Sequence, residues 1–225
     1  SSFLAPGLIL FFPYLHEVAE IFSIDKLPEQ ARKKIIKNFR LSVQRHVYAS
    51  GGQTFLAKNA VAGGRLGLYQ EAFPDMRAIY IHSDILKSIA SSLSVFSKPW
   101  SFHSPACYQR KYESISVIEM VRTNHQGIIS HRLNFTPENA VDIIYDKLVT
   151  DPQTTVESIY QHFSLSMDDE YKACLQQDSI AAKSYKSVHV YKVEDYGFTS
   201  EEIEQYIANQ SAEEQVFEEK YHMLE

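Results

Sequence analysis

Two short apolar runs separated by a helical segment constrain the fold of this chain more than any other feature. The runs, residues 53–58 and 77–82, have the length and composition of buried strands and are bounded by turn-forming residues. Helical spacing lies between them at residues 66–73, and Ser83-Asp84 supplies a polar cap for a helix over residues 85–97. Because strands joined by a helical crossover are expected to be parallel, this unit predicts an open α/β domain.

The rest of the chain continues the alternation. After Pro28, apolar residues at a spacing of four predict a helix over residues 29–47, which Gly51-Gly52 ends. The remaining elements predicted from the sequence are a strand at 141–145 and helices around 112–121, after Asp151-Pro152, over 168–177 and from a capping box at 199–202. This order predicts a three-layer α/β fold with a parallel sheet flanked by helices. Ligands of such sheets bind at the carboxyl ends of the strands, which here are residues 58–59 and 82–83.

Charge is distributed unevenly along the chain. The net charge is −6, but the segment from Glu194 to the end holds ten acidic residues and one basic residue, Lys220. The other 193 residues therefore carry 21 basic and 18 acidic side chains, a balance of +3. Since the basic residues are scattered, the pattern argues against a nucleic-acid binder, while a small anionic ligand stays open.

The first residues and the two cysteines exclude several classes of protein. Residues 3–15 are apolar but are interrupted by Pro6, Gly7 and Pro13, and they fall short of the roughly 20 residues that span a bilayer. No basic segment precedes them, so neither a signal peptide nor a membrane span is predicted. Cys107 and Cys174 have no CxxC spacing, so they predict no metal site and no disulfide framework. We expect them to be buried thiols in a reducing compartment.

Three separate stretches carry a resemblance to a known family. They include FPDMRAIYIHSDI, IIYDKLVTDP and YKVEDYGFTSEEI. In this order and spacing they resemble the sulfotransferase family, over residues 25–207. The resemblance implies a fold related to P-loop nucleoside triphosphate hydrolases. It also implies transfer of a sulfonate from 3′-phosphoadenosine 5′-phosphosulfate, a co-substrate, to a hydroxyl or amine, without a metal.

The resemblance also implies roles for particular residues. Lys58 falls on the family's strand-end lysine and would meet the sulfonate or the acceptor. Ser91 follows Ser83 by eight residues, the spacing of the family's Arg and Ser that hold the 3′-phosphate. Arg65 falls on the helix that follows this lysine in the family, and we expect Arg65 to be a structural ion-pair partner. The basic segment that the family closes over the nucleotide corresponds to Lys183, Lys186 and His189.

The chain departs from the family pattern at three places. Ser83-Asp84-Ile85 stands where the family has Arg-Asp-Pro, and Ser cannot make the bidentate contact that Arg makes to phosphate. Ala62 stands at the position of a histidine, so His82 becomes the substitute candidate for the base. No Gly-rich phosphosulfate loop follows Ser1, so either the chain starts after that loop or the protein has lost it.

Two hypotheses about function therefore stay open. The first is a sulfotransferase, and the second is a catalytically inactive sulfotransferase-like protein that binds or scaffolds. A P-loop kinase relative is disfavoured because the Gly-x-x-x-x-Gly-Lys-Ser/Thr motif is absent. A sheet that lacks its first strand would expose an edge, so self-association is expected.

The domain organisation and the partners complete the prediction. We expect a single domain over residues 1–225, with an apolar N-terminal segment at 1–24 and an acidic C-terminal helix at 194–225. The partners expected are the nucleotide donor and an acceptor, for which sugar, lipid, peptide tyrosine and small alcohol all stay open. For the compartment, the cytoplasm is favoured over the Golgi lumen.

Overall fold

A computed structural model describes residues 20–52, 54–105, 111–184 and 190–208, and these form a helix-rich α/β fold around a parallel pair of strands. The helices and strands, in chain order, are α1 Glu29–Ser50, α2 Leu66–Ala72, β1 Ala78–His82, α3 Ile85–His103, α4 Lys111–Arg132, β2 Ala140–Ile144, α5 Tyr145–Thr150, α6 Pro152–His162, α7 Asp169–Ser184 and α8 Ser200–Ile207. The α/β class and the parallel sheet predicted from the sequence are confirmed.

Strands β1 and β2 pair in parallel, in a register that begins at Ala78 opposite Ala140 and ends at His82 opposite Ile144. The predicted strands at 77–82 and 141–145 are thus confirmed to within one residue at each end. Side chains of β1 alternate in burial, so the apolar run does not mean burial on both faces. Ile79 and Ile81 remain 40% and 52% exposed on the outer face.

The predicted first strand is wrong. Residues 54–58 have no regular secondary structure and pair with no strand among the described residues, and all five are exposed. The ring of Phe55 instead lies edge-on to His46 of α1, with 5.4 Å between centroids. A strand exists only with a hydrogen-bonding neighbour, and here β2, which follows β1 in the chain, is the neighbour of β1. Gln53 lies outside the described residues.

The local signals for helix ends are confirmed. Helix α1 ends at Gly51, whose φ of 64° is left-handed and therefore suits a residue without a Cβ. The side chain of Asp84 accepts a hydrogen bond from the backbone N–H of Lys87, at 2.9 Å, and so caps α3. At α8, Thr199 and Glu202 form the predicted capping box. These three helix ends are thus determined by residues that are close together in the sequence.

Several helices are longer than their sequence pattern predicts. Helix α3 continues through Pro99 to His103, α4 extends to Arg132, and α7 extends to Ser184. The described part of the C-terminal acidic segment comprises a short 3-10 helix at Val193–Tyr196 and helix α8. For α3 and α4, packing against the main core extends the helix beyond its own sequence signal.

The main core lies between α3 and α4 and is closed by residues near the C-terminus. Ile89 and Val117 are fully buried there, and Val193 and Ile203 contact the same cluster. The segment before α2 packs so closely against α4 that the two backbones are in contact. A Cβ built on Gly63 would lie 1.9 Å from the carbonyl oxygen of Asn124, so only glycine fits. This contact fixes the loop after residue 58 against the body of the domain.

Two other sequence predictions are corrected. Cys174 is exposed rather than buried, because α7 presents most of its surface to solvent, and Cys107 lies outside the described residues. Within the described part of the chain, the guanidinium of Arg65 forms no ion pair but donates to the backbone carbonyl of Ile21 at 2.8 Å. The role of Arg65 is structural, as expected, through a different partner.

Neither a spanning helix nor a metal cluster is seen in the described part of the chain. No helix there combines the length and the apolarity that crossing a bilayer requires. The same residues contain no group of three or more His, Cys, Asp or Glu side chains arranged to hold a metal ion.

Candidate functional site

The carboxyl end of β1 leads directly into the first turn of α3 and places hydroxyl groups at its amino terminus. The hydroxyl of Ser83 lies 2.8 Å from that of Ser88, and Ser88 donates to the backbone carbonyl of Asp84 at 3.0 Å. Either hydroxyl can be the donor in the pair of Ser83 and Ser88. Ser83 is exposed, and the amino terminus of the 19-residue helix carries a partial positive charge. The position therefore suits an anionic group.

An open groove of about 580 Å³ lies beside this helix terminus. It is lined by the first turns of α3 and by the segment that precedes α8, with Lys87 and Lys192 as its cations and Glu194 and Asp195 as its acids. Lys87 is 3.9 Å from Asp146 in a pair that is highly exposed on both sides, so the contact leaves its ammonium accessible. Neither lysine was identified from the sequence. Their positions are the sequence signals that could have identified them. Lys87 lies in the first turn of a predicted helix, and Lys192 follows the predicted basic segment.

Ser91 lies on α3 about two turns beyond its start and is half-buried. Its neighbour Ala90 lines the groove. The structure therefore places Ser83 at the junction of β1 and α3 and Ser91 within α3. The roles of both in binding a phosphate stay predictions.

His82 lies behind this junction in a buried polar cluster. Its Nε2 is 2.8 Å from Oδ1 of Asp142, and Arg132 donates through Nε to Oδ2 of Asp142, at 2.8 Å. The guanidinium of Arg132 also lies 5.8 Å from the ring centroid of Tyr80. The side chains of His82, Asp142 and Arg132 are 8%, 16% and 16% exposed. The cluster joins β1, β2 and α4 at the level of the strand ends.

Electrostatics in this cluster favour the ionised carboxylate. Burial by itself raises the pKa of Asp142, but the hydrogen bonds from His82 and Arg132 outweigh that effect and hold the pKa below 3.8. Burial raises the pKa of Tyr80 far above its ordinary value, and its buried hydroxyl has no hydrogen-bond partner among the residues that the structure describes. The sequence signal for this cluster is an isolated carboxylate inside the apolar run of β2.

Lys58 is exposed on the segment before Gly63, and it makes no hydrogen bond or ion pair to the described residues. The next residue, Asn59, fixes the loop: its amide donates to the Tyr69 hydroxyl at 2.8 Å, and its oxygen accepts from the backbone of Val61 at 3.0 Å. Lys58 thus protrudes from an anchored turn rather than from a strand end, and in the described structure no hydrogen bond or ion pair joins it to Ser83 or His82.

The predicted nucleotide-closing residues are only partly described. Residue 183 lies in α7, but its side chain falls outside the described part of the structure, and so do Lys186 and His189. Their role in closing a basic loop over the nucleotide stays a prediction. The segment that contains them connects α7 to the groove wall at Lys192.

Taken together, the fold and site are those of an α/β protein with an anion-suited junction at the carboxyl end of a parallel strand. The model of the sulfotransferase family matches residues 17–169, about two thirds of the chain, and the protein belongs to that family. No curated protein matches the sequence at a significant level.

Solved structures agree with the fold. The sulfotransferase STF1 from Mycobacterium tuberculosis H37Rv is similar over 68% of this chain, with a TM-score of 0.55 and 21% identity. The sulfotransferase STF9 from Mycobacterium avium is similar over 70%, with a TM-score of 0.60 and 19% identity. These alignments span only 39% and 40% of the two solved chains, so the similarity concerns the fold of a part of them.

Proposed function

We propose that this protein transfers a sulfonate from 3′-phosphoadenosine 5′-phosphosulfate to a hydroxyl or amine acceptor. The observation that carries the proposal is the junction of β1 and α3, where an exposed Ser83 hydroxyl lies at a helix amino terminus. The adjoining groove contains Lys87 and Lys192. Phosphates bind at helix amino termini that are assisted by lysines, and membership of the sulfotransferase family supports this donor.

The transfer divides into roles that the residues can fill. The acceptor oxygen or nitrogen attacks sulfur, and the bond from sulfur to the bridging oxygen breaks. The leaving group is 3′-phosphoadenosine 5′-phosphate, whose 5′-phosphate keeps the bridging oxygen and the electron pair. We assign Ser83 and Ser91 to the 3′-phosphate and Lys58 to the sulfonate oxygens, where a cation offsets the developing charge. The acceptor must lose a proton, and His82 is the candidate that accepts it.

The pairing of His82 with Asp142 supports that assignment. A carboxylate bonded to one ring nitrogen fixes the tautomer and orientation of a histidine. The 2.8 Å contact between His82 Nε2 and Asp142 Oδ1 has this geometry. Asp142 would therefore act as a positioning residue, and Arg132 would hold Asp142 in turn.

A second candidate function is donor binding without catalysis. It is favoured by Ser83, which stands where the family has arginine and which offers phosphate one neutral hydrogen bond instead of a charged bidentate contact. It is favoured also by Asp84, whose carboxylate already occupies the backbone N–H of Lys87 at the helix start. Such a protein would act as a binding or scaffolding module.

Two experiments separate the two functions. The first is calorimetric titration of the protein with 3′-phosphoadenosine 5′-phosphate. The second is a transfer assay with 35S-labelled donor and a mixture of sugar, phenol and amine acceptors. For the enzyme, the native chain binds the nucleotide and releases labelled product. Binding without product on every acceptor favours the scaffold, and no binding refutes both.

Variants at position 83 sharpen the test. Restoring the cation with Ser83→Arg should tighten nucleotide binding by about tenfold or more, since charge-assisted bonds are roughly twice as strong as neutral ones. The matched variant Ser83→Ala should weaken it. If neither variant changes the affinity, the β1–α3 junction is not the donor site.

A further inference from the structure

Helix α1 presents positive charge and apolar side chains together on a face that points away from its buried residues, Ile36 and Val43. Five exposed residues follow one another there at spacings of three and four, which we call the α1 stripe: Lys34, Lys37, Leu41, Gln44 and Tyr48. Leu41 and Tyr48 are 39% and 90% exposed. Alternating spacings of three and four make one continuous seam along a helix, the kind of seam by which two helices pack.

The positive charge of this face is only partly neutralised. Helix α1 contains six Lys and Arg residues and one acid, Glu29, although the whole chain has a net charge of −6. Glu29 pairs with Lys33, and Glu71 of α2 pairs with Arg32. Four cations have no acidic partner among the residues that the structure describes: Lys34, Lys37, Arg40 and Arg45. The α1 stripe therefore suits a helix that brings acidic and apolar groups at the same spacing.

The chain itself contains a segment of this kind at residues 209–225, which lie outside the described residues. The segment holds five acidic residues and one basic residue, Lys220, and its sequence predicts a helix. Spacings of three, four and three join one stripe of its residues: Glu214, Phe217, Tyr221 and Leu224. The first four residues of the α1 stripe have the same spacing, with cations where this segment has its acid and its aromatic ring.

The described fold brings the start of this segment toward the start of α1. Ile207, in the last turn of α8, packs against the main core cluster, which also contains Phe22. Phe22 precedes the first residue of α1 by seven positions. The six steps from Ala208 to Glu214 can span about 20 Å. The segment can therefore begin near Lys34 and continue in the same direction as α1.

A parallel alignment of the two helices matches the chemistry of the two stripes. The facing pairs are Glu214 with Lys34, Phe217 with Lys37, Tyr221 with Leu41 and Leu224 with Gln44. The first pair joins opposite charges, the second sets an aromatic ring against an ammonium group, and the third is apolar. Two further acids flank this seam beside cations, as in two-stranded coiled coils: Glu218 beside Lys33 and Glu225 beside Arg40.

We propose that residues 211–225 dock as a helix on the α1 stripe of their own chain, parallel to α1, with Glu214 beside Lys34 and Tyr221 beside Leu41. Exposed ion pairs are individually weak, but a short tether gives the segment an effective concentration in the millimolar range. Contacts too weak to hold two separate chains together therefore suffice within one chain. The proposal is independent of sulfonate transfer and would stand if that function failed.

Carbodiimide coupling of the native chain tests the docking, because this reagent joins an amine directly to a carboxylate that lies against it. Mass spectrometry of the peptides should find Lys34 joined to Glu214, while Lys172 on α7 serves as the control amine and should not be joined to the segment. A mixture of 14N and 15N chains should give cross-links within one isotope only. Cross-links between isotopes would overturn the proposal in favour of a second copy, and the absence of any link from Lys34 to the segment would refute docking.

Engineered cysteines test the register in a chain with Cys107→Ser and Cys174→Ser. A disulfide requires Cα atoms within about 7 Å, so Leu41→Cys should close with Tyr221→Cys and not with Met223→Cys, which lies on the opposite face of the same predicted helix. We expect closure of the first pair within the monomer to be at least about tenfold faster. Equal rates for the two pairs would exclude a docked helix in this register.

Charge reversal in the first cysteine pair tests the ionic contact. Lys34→Glu and Glu214→Lys should each slow closure by about threefold, and their combination should restore the original rate, because the pair is then reversed and not broken. The control Lys172→Glu should leave the rate unchanged, and circular dichroism shows that each variant is folded. A combination as slow as the slower single variant would contradict the pairing of Lys34 with Glu214.

Discussion

Replacing Asp142 by Asn tests whether the buried cluster holds the strand ends together. The carboxylate accepts hydrogen bonds from His82 at 2.8 Å and from Arg132 at 2.8 Å, and its side chain is only 16% exposed. Breaking a buried pair by removing one partner costs about 3–5 kcal/mol, because the other charge stays buried. Since part of the side chain reaches solvent and Asn keeps one acceptor, we expect a loss of about 3 kcal/mol.

The assay is urea denaturation followed by circular dichroism, with Asp146→Asn as the matched control. Asp146 is also a carboxylate paired with a cation, but it is 76% exposed and its contact with Lys87 is 3.9 Å long. Exposed pairs contribute little, so the control should unfold at nearly the native midpoint. Equal shifts of the midpoint in the two variants would refute the reasoning from burial.

Acid unfolding supplies an independent measure of the same interaction. The folded-state pKa of Asp142 lies below its unfolded value of 3.8, so the stabilisation is fully present above that value. It is lost as pH falls through the lower, folded-state pKa. The native chain should therefore lose stability more steeply than Asp142→Asn below about pH 4. Parallel stability curves in this range would contradict the assignment of the low pKa to this pair.

Other predictions concern packing, capping and surface. Gly63→Ala should prevent folding or cost at least about 3 kcal/mol, since its Cβ would overlap the backbone of Asn124, while Gly52→Ala, which meets only a flexible hydroxyl, should be nearly neutral in thermal melts. Thr199→Ala should cost about 1 kcal/mol by removing the α8 cap, measurable by urea titration. Ile81→Lys should reduce any self-association seen by analytical ultracentrifugation, because Ile81 is 52% exposed on β1 and charge blunts such surfaces; unchanged association would move the interface elsewhere.

What the sequence predicts well is local in origin. The cap at Asp84 and the capping box at Thr199 depend on residues three positions apart, so the sequence contains the whole interaction. The strands β1 and β2 were identified because short apolar runs bounded by turns have few alternative structures.

What the sequence does not predict depends on distant partners. Residues 54–58 have strand-like composition, yet a strand needs a neighbour, and pattern alone does not supply one. The contact of His82 with Asp142 joins residues 60 positions apart, and the groove at Lys192 requires the C-terminal segment to return to α3. The ion pair of Arg32 with Glu71 joins residues 39 positions apart, so it too appears only in the folded chain.

The order of strands in the chain has a kinetic consequence. In the parallel register, Ala78 lies beside Ala140. The two strands therefore cannot pair until the segment that connects them, with α3 and α4, has folded back and brought β2 next to β1. Contacts of such sequence separation slow folding, since loop-closure entropy is lost before the pairing compensates for it. The pairing of β1 with β2 should consequently form late in refolding, and the amide hydrogens of β1 that bond to β2 should be among the last to gain protection in a pulsed hydrogen-exchange experiment.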